Sequence, residues 1–413
     1  MYGLRLLRQR AVQLAALALV AALVLLVRAI QFALLTRQIQ WGYDFSFYWT
    51  AGYRLLNGEA IYTATQLAGP YAPQGQDGFL YPPPFAAIVT PLAALFADYR
   101  AAAWVWTALG AGILVISVLA VASAERLGDR FPLLAGRGRW LLVAAAFAFP
   151  PVVGELVLGN VHLVLLGLLS VAWLGIRRGD GRGDWIAGVA VGVAAVVKVF
   201  PGVLLLWFLL QRRYRAAAGV VVGAALLSLL TLPVTGIEPW LQYPTVLANL
   251  SAPADTRDTL APTVWLATLI GFTPARILVT VTGIAILGWT ALRGAPTPGG
   301  GPGTGATARS FAIAVVVSVL IAPALYHHYL ALLVLPLLLG LSAGVPLPWL
   351  AAAYLLMWGG DQPGLGEAAW IVNRALPTLG ALLLLGALAL ARQTIGHPTS
   401  VHVGAPAPNG GEP

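Results

Sequence analysis

Apolar runs recur along the whole chain, and arginines gather in the short polar stretches that separate them. A helix needs about 20 apolar residues to cross a bilayer, with a range of roughly 17–25. A water-soluble fold of this size would also need charge to cover its surface. Here 59% of the 413 residues are hydrophobic and 9% charged, where a soluble domain carries roughly 25% charged residues. Lipid removes that requirement, because apolar side chains can then face outward. The chain therefore reads as an all-α integral membrane protein. Its formal net charge of +9 suits a positively charged cytoplasmic face, and no nucleic-acid partner is expected. The absence of cysteine excludes a disulfide framework, a thiol nucleophile and a cysteine metal site.

Arginine placement sets the register of the spans. Arg5, Arg8 and Arg10 precede an apolar run from Ala11 to Val27, without a convincing small-residue cleavage site. This reads as an uncleaved first span with a cytoplasmic N-terminus. Taking Met1–Arg10, Glu125–Arg139, Arg177–Asp184, Gln211–Arg215, Arg293–Arg309 and the tail from Arg392 as cytoplasmic collects 16 of the 24 Lys and Arg. The opposite side then receives Thr36–Pro82, Gly154–His162, Val199–Pro201, Pro233–Pro262, Ala324–Tyr329 and Gly359–Asn373. The result is about 12 transmembrane helices in one domain, residues 1–392. Several are interrupted by Pro or Gly, as around an internal cavity. Pro84 to Ser123 is too long for one span, so Phe85–Phe96 is expected to lie in the interface or re-enter and Ala101–Ser123 to cross. Gly294–Ala308 reads as a flexible linker, and residues 393–413 as a disordered cytoplasmic tail.

With sides assigned, the acids, the histidines and the single lysine fall mostly on the outer side. In Tyr43–Tyr62 the apolar positions Phe45, Tyr48, Trp49, Tyr53 and Leu56 form a helical stripe. It predicts an interfacial helix with its rings at headgroup level, stopped by Asn57-Gly58. Two roles fit Asp44 at the start of that helix: N-cap, or general base at the mouth of a cavity. Pro82-Pro83-Pro84 locks an extended entry into the membrane, and Tyr81 just before it is placed to line a site. Glu155 and Gly159-Asn160-Val161-His162 occupy the next outer turn, where polar residues serve either packing or function. Lys198, before Val199-Phe200-Pro201, either snorkels or binds an anion such as phosphate. His327 and His328 are adjacent and point to different helix faces, so they make a poor metal pair. Asp255, Arg257, Asp258, Asp361, Glu367 and Arg374 suggest no role beyond acceptor contact. No phosphate-binding Gly-rich loop or nucleotide-binding domain is visible, which argues against an ATP-driven transporter.

Asp44-Phe45, Tyr48, Ala51, Leu55-Leu56, Gly58 and Tyr62, followed by Tyr81-Pro82-Pro83, Phe85 and Pro91-Leu92, resemble the family-87 glycosyltransferases. The resemblance continues in Gly159-Asn160-Val161-His162-Leu163, in Lys198 with Pro201, in Arg212-Arg213 with Arg215, and in Pro323 with His328-Tyr329. It covers roughly Arg28 to Pro336. His162 departs from the family's usual Asn, and Ala324, Leu325 and Tyr326 replace its polar-aromatic residues. The resemblance implies a helical bundle of the GT-C class. It implies transfer of a sugar, mannose first, from a polyprenyl-phosphate donor to a lipid or glycan acceptor on the outer face of the cell membrane, with inversion and without a metal or other cofactor. Asp44 matches the base of that class, with His328 as its partner or alternative. Lys198 is expected at the donor phosphate, and Tyr48, Tyr81, Glu155, Asn160, His162 and His327 as substrate contacts.

Two rivals remain at this level. A related GT-C enzyme using another sugar, such as arabinofuranose, would differ only in a few pocket contacts. A carrier or flippase of polyprenyl-linked glycans would need no catalytic base.

Overall fold

The computed structural model describes residues 2–72, 77–250, 259–294, 305–360 and 367–391. Among these every regular element is a helix. Five helices are long and apolar enough to cross a membrane: Gln9–Leu35, Tyr99–Ala124, Tyr214–Thr235, Phe272–Arg293 and Ile371–Leu390. A sixth crossing would be the pair Gly136–Ala148 and Pro150–Leu158, which bends by 64°. Phe149 adopts an extended backbone between its halves, and Pro150 and Pro151 open the second half. A proline cannot donate the helical hydrogen bond and disfavours helix in the residue before it, which accounts for the break. The other apolar helices, Pro83–Leu95, Phe200–Leu210, Gly305–Leu320, His327–Ser342 and Leu347–Leu356 among them, are shorter than a straight span requires.

Several local expectations hold. The helix expected after the first span is Tyr43–Leu56, and Asn57 closes it before Gly58 at φ +69°. Helices Pro83–Leu95 and Tyr99–Ala124 divide the stretch that was too long for one span. Other expectations need correction. The cap of Tyr43–Leu56 is Gly42, in the left-handed region at φ +66°, and no side chain caps the helix. Asp44 therefore lies inside the first turn and its carboxylate is free for other work. The ring stripe also meets protein. Phe45 and Tyr48 are buried and the helix packs on Pro83–Leu95, while Tyr43, Tyr53 and Leu56 are exposed. Of the proline triplet only Pro82 is extended; Pro83 and Pro84 begin a helix, where a missing N–H costs nothing. Gly305–Ala308, expected in the linker, opens the helix Gly305–Leu320. Residues 295–304, the tail from 392, Asp255, Arg257, Asp258 and Asp361 lie outside the described residues.

One close helix pair positions the lysine. Gly181–Val197 runs against Tyr214–Thr235, and a Cβ at Gly188 or Gly192 would overlap the carbonyls of Ala216 or Val220. Small residues at such a crossing let two backbones approach and gain dispersion contact, the main attraction available between helices in lipid. Lys198 caps the C-terminal end of the first helix of this pair.

Candidate functional site

A cavity of about 560 Å³ opens where the ends of several helices meet, within the usual range for small-molecule sites. Six residues singled out from the sequence line it: Asp44, Tyr81, Asn160, Lys198, His327 and His328. The remaining wall includes Phe47, Leu80, Val199, Phe200, Leu247 and Leu250 on the apolar side, and Tyr71, Tyr243, Tyr326 and Tyr329 as aromatic rings.

Asn160 is the hub of the polar wall. Gly159, at φ +67°, ends the helix Pro150–Leu158 and turns Asn160 inward. A Cβ at Gly159 would sit 2.8 Å from that of Phe45, so the turn also requires a residue without a side chain. The Asn160 oxygen accepts from the backbone N–H of Val161 at 2.7 Å and from the Tyr81 hydroxyl at 3.2 Å. This orients the amide, and its two N–H groups have two partners. One donates to Asp44 Oδ2 at 2.7 Å. The other faces His328 Nε2 at 3.1 Å. His328 Nε2 therefore accepts, and its ring proton resides on Nδ1. The same nitrogen is 3.4 Å from Asp44 Oδ2.

Asp44 keeps 19% of its side-chain surface exposed and stands on a helix outside the candidate spans. Burial pushes its carboxyl up to about 6, against the opposing effects of the Asn160 hydrogen bond and the Lys198 charge. An isolated carboxylate is stabilised by water, and the protein replaces that hydration only in part. A carboxylate with a pKa near 6 is ionised at neutral pH and far more basic than a surface aspartate, as a general base should be.

Lys198 approaches from the far side of Asn160. Its ammonium donates to the Tyr81 hydroxyl at 3.3 Å and to His162 Nε2 at 3.1 Å. It also lies 3.8 Å from the Tyr329 ring centroid, a cation–π distance. Tyr81 uses its own proton for Asn160, so the Tyr48 hydroxyl, 2.6 Å away, donates to Tyr81. One hydrogen-bond chain thus runs from Asp44 through Asn160 and Tyr81 to Lys198, placing a carboxylate and an ammonium on the same cavity wall without a direct ion pair.

Three sequence candidates lie behind this wall. Tyr48 is buried and supports Tyr81 from below. Glu155 and His162 are sealed at 1% and 0% exposure. Glu155 Oε1 accepts the backbone N–H groups of His162 and Leu163, and Oε2 is 3.0 Å from His162 Nδ1. None of the three, expected as substrate contacts, lines the cavity. His327 does line it, but its Nε2–H donates to the Met357 carbonyl at 3.0 Å, apart from the network. Glu155, His162 and His328 can bring ligand atoms within 4.8 Å of one another. A divalent cation suits this set poorly, since both Glu155 oxygens are engaged and an ammonium stands against His162 Nε2.

Sequence reasoning missed the aromatic rings. Tyr326 lies parallel to His328 at 5.9 Å, and Tyr329 lies 4.0 Å from the His162 ring. Their spacing of three about the histidine pair was a visible signal. Tyr71 and Tyr243 come from loop and helix segments with no pattern to mark them.

Comparison with known proteins adds the following. The sequence profile of glycosyltransferase family 87 matches residues 79–323, more than half of the chain. An α-(1→3)-arabinofuranosyltransferase of Mycobacterium tuberculosis, found in two strains, is 35% identical over 94 residues. That alignment covers 22% of this chain and 21% of the relative, so the chain aligns with about a fifth of the relative's length. No solved structure matches.

Proposed function

Starting from a chain that belongs to glycosyltransferase family 87, we propose that it transfers a sugar from a polyprenyl-phosphate donor to an acceptor hydroxyl, with Asp44 as base and Lys198 at the donor phosphate. The observation that carries this is the polar wall: one basic carboxylate and one ammonium face the same cavity, held apart by the neutral groups of Asn160 and Tyr81. Sugar transfer from a phosphate needs both. The acceptor hydroxyl gives its proton to Asp44, and its oxygen attacks the anomeric carbon. The bond from that carbon to the phosphate oxygen breaks, and the lipid phosphate leaves with a second negative charge. Lys198 stabilises that charge where it develops. Attack opposite the leaving group inverts the anomeric centre.

The apolar side of the cavity, with Val199, Phe200, Leu247 and Leu250, suits the first prenyl units. The arginine distribution supports an outward-facing site in the cell membrane, with about twelve crossings once short and bent helices are included. The lipid or glycan acceptor would enter beside Asp44 and His328.

Two sugars compete. Mannose follows from the motif order described above. Arabinofuranose is favoured by the named activity of the mycobacterial relative. The test is transfer of radiolabel to membrane lipid extracts by purified protein, from a panel of polyprenyl-phosphate mannose, arabinofuranose and other pentoses and hexoses. Label from one donor only identifies the sugar. Label from none refutes the transferase reading.

A further inference from the structure

Lys198 is held from behind by a pair of buried residues that do not line the cavity. An ammonium has three N–H donors. The Tyr81 hydroxyl and His162 Nε2 take two, which leaves the third for the cavity that Lys198 lines. His162 can accept only while Nε2 lacks a proton. The Lys198 ammonium has no lone pair to offer, so its 3.1 Å contact needs a bare Nε2; the ring proton then sits on Nδ1 and donates to Glu155 Oε2 at 3.0 Å. The other Glu155 oxygen takes the amides that open the helix His162–Arg178, which fixes the carboxylate in place. Both side chains are sealed from the cavity. The His162 ring packs beside Phe200 and Tyr329, at 6.2 and 4.0 Å.

We propose that Glu155 and His162 are positioning residues for the donor phosphate, a buried carboxylate–imidazole pair that aims the Lys198 ammonium at the anionic end of the lipid donor. This rests on the reading of Lys198 as the phosphate-binding group. The pair acts through the imidazole tautomer, so a near-isosteric change can reverse it. In Glu155→Gln the amide oxygen must stay on the backbone N–H groups of His162 and Leu163, since those are donors. The amide nitrogen then faces His162 Nδ1 and donates to it. The ring proton moves to Nε2, where it opposes the ammonium. The helix keeps its N-terminal partners while the lysine loses its rear acceptor.

Farnesyl phosphate serves as a soluble probe of the phosphate site. Its dissociation constant is measured by calorimetry on the full chain in detergent, for wild type, Lys198→Ala, His162→Phe, His162→Gln and Glu155→Gln. Transfer kinetics are recorded on the same preparations with whichever donor is active. Losing a charge-assisted contact should weaken binding on the order of tenfold in Lys198→Ala and His162→Phe. Glu155→Gln should weaken it comparably, and His162→Gln, which can still offer an oxygen, should lie nearer wild type. KM for the lipid-phosphate donor should rise by a similar factor while KM for the acceptor stays within about twofold. Wild-type affinity in Glu155→Gln overturns the proposal even if sugar transfer is found. So does an equal rise in both KM values, the mark of a merely structural role. If His162→Phe does not fold, Glu155→Gln carries the test. A wild type that neither binds the probe nor transfers sugar overturns the functional reading itself.

Discussion

Asp44→Asn is nearly isosteric, and the cavity predicts two opposite effects from it. The asparagine oxygen can still accept from Asn160, whose amide lies 2.7 Å from Asp44 Oδ2, so the wall keeps its shape. The basic group is gone, and a positioned general base contributes roughly 10²- to 10⁴-fold in rate. Transfer of radiolabelled sugar from the active polyprenyl-phosphate donor should fall by that factor, with donor affinity little changed. The wild-type pH profile should carry the same signature. The Asp44 carboxyl is raised from its ordinary 3.8 to about 6, chiefly by burial, and the base works only when ionised. Activity should therefore be full above about 7 and fall about tenfold per pH unit below about 6. Stability runs the other way. The folded protein binds the proton more tightly than the unfolded chain, so stability declines as pH rises from 3.8 toward 6. At 1.36 kcal/mol per pH unit the ionised group costs roughly 3 kcal/mol at neutral pH. Asp44→Asn should recover part of that, as a higher thermal midpoint in detergent at pH 7.5 that disappears near pH 4. Activity within tenfold of wild type would refute the assignment of Asp44. His328 Nε2, 3.4 Å from the carboxylate, would then be the base to test.

Other substitutions separate the cavity wall from what supports it. Lys198→Ala should lower kcat/KM for the lipid-phosphate donor by roughly 10²-fold, the usual loss when one donor to a developing anion is removed. Steady-state kinetics with varied donor would read this, and an unchanged value would remove Lys198 from the mechanism. Tyr48→Phe should cost about 1 kcal/mol of stability and less than tenfold in transfer, because the hydroxyl supports Tyr81 without reaching the cavity. Gly159→Ala forces a positive φ on a residue with a side chain and drives a Cβ against Phe45. It should cost roughly 1–3 kcal/mol, visible by thermal unfolding, and should impair transfer by displacing Asn160.

How much of this was legible depends on what a linear pattern can encode. Helical periodicity revealed the helix Tyr43–Leu56 and its stop at Asn57-Gly58. It did not reveal which solvent the ring stripe meets, because lipid and protein interior are equally apolar. Phe45 and Tyr48 went inward onto Pro83–Leu95 for that reason. The reading of Asp44 as a cap failed on backbone geometry: Gly42 takes the left-handed turn and its N–H bonds to the Val157 carbonyl at 2.8 Å, a partner far along the chain that no local signal announces. Grouping the polar candidates was more legible. All the candidates except His327 belong to one hydrogen-bonded network, as expected if ionisable groups near a bilayer must find partners or a function. Depth within that network was invisible. Glu155 and His162 look from the sequence just like Asn160 and Lys198, and only tertiary packing sorts them into a wall and its support.

That layering also explains why a single lysine suffices. Lys198 does not snorkel; it turns into the cavity, where Tyr81 and His162 replace the water its ammonium would otherwise keep. An arginine there would bring a planar fork that needs several acceptors in one plane. Tyr81, His162 and the Tyr329 ring instead surround a compact charge from different directions. Asp44 is handled by the same economy, with one Asn160 N–H donating to its Oδ2. Each charge is stabilised enough to stay in the cavity and left short of its full complement of partners. The remaining capacity of each group is what an acceptor hydroxyl and a leaving phosphate would take up.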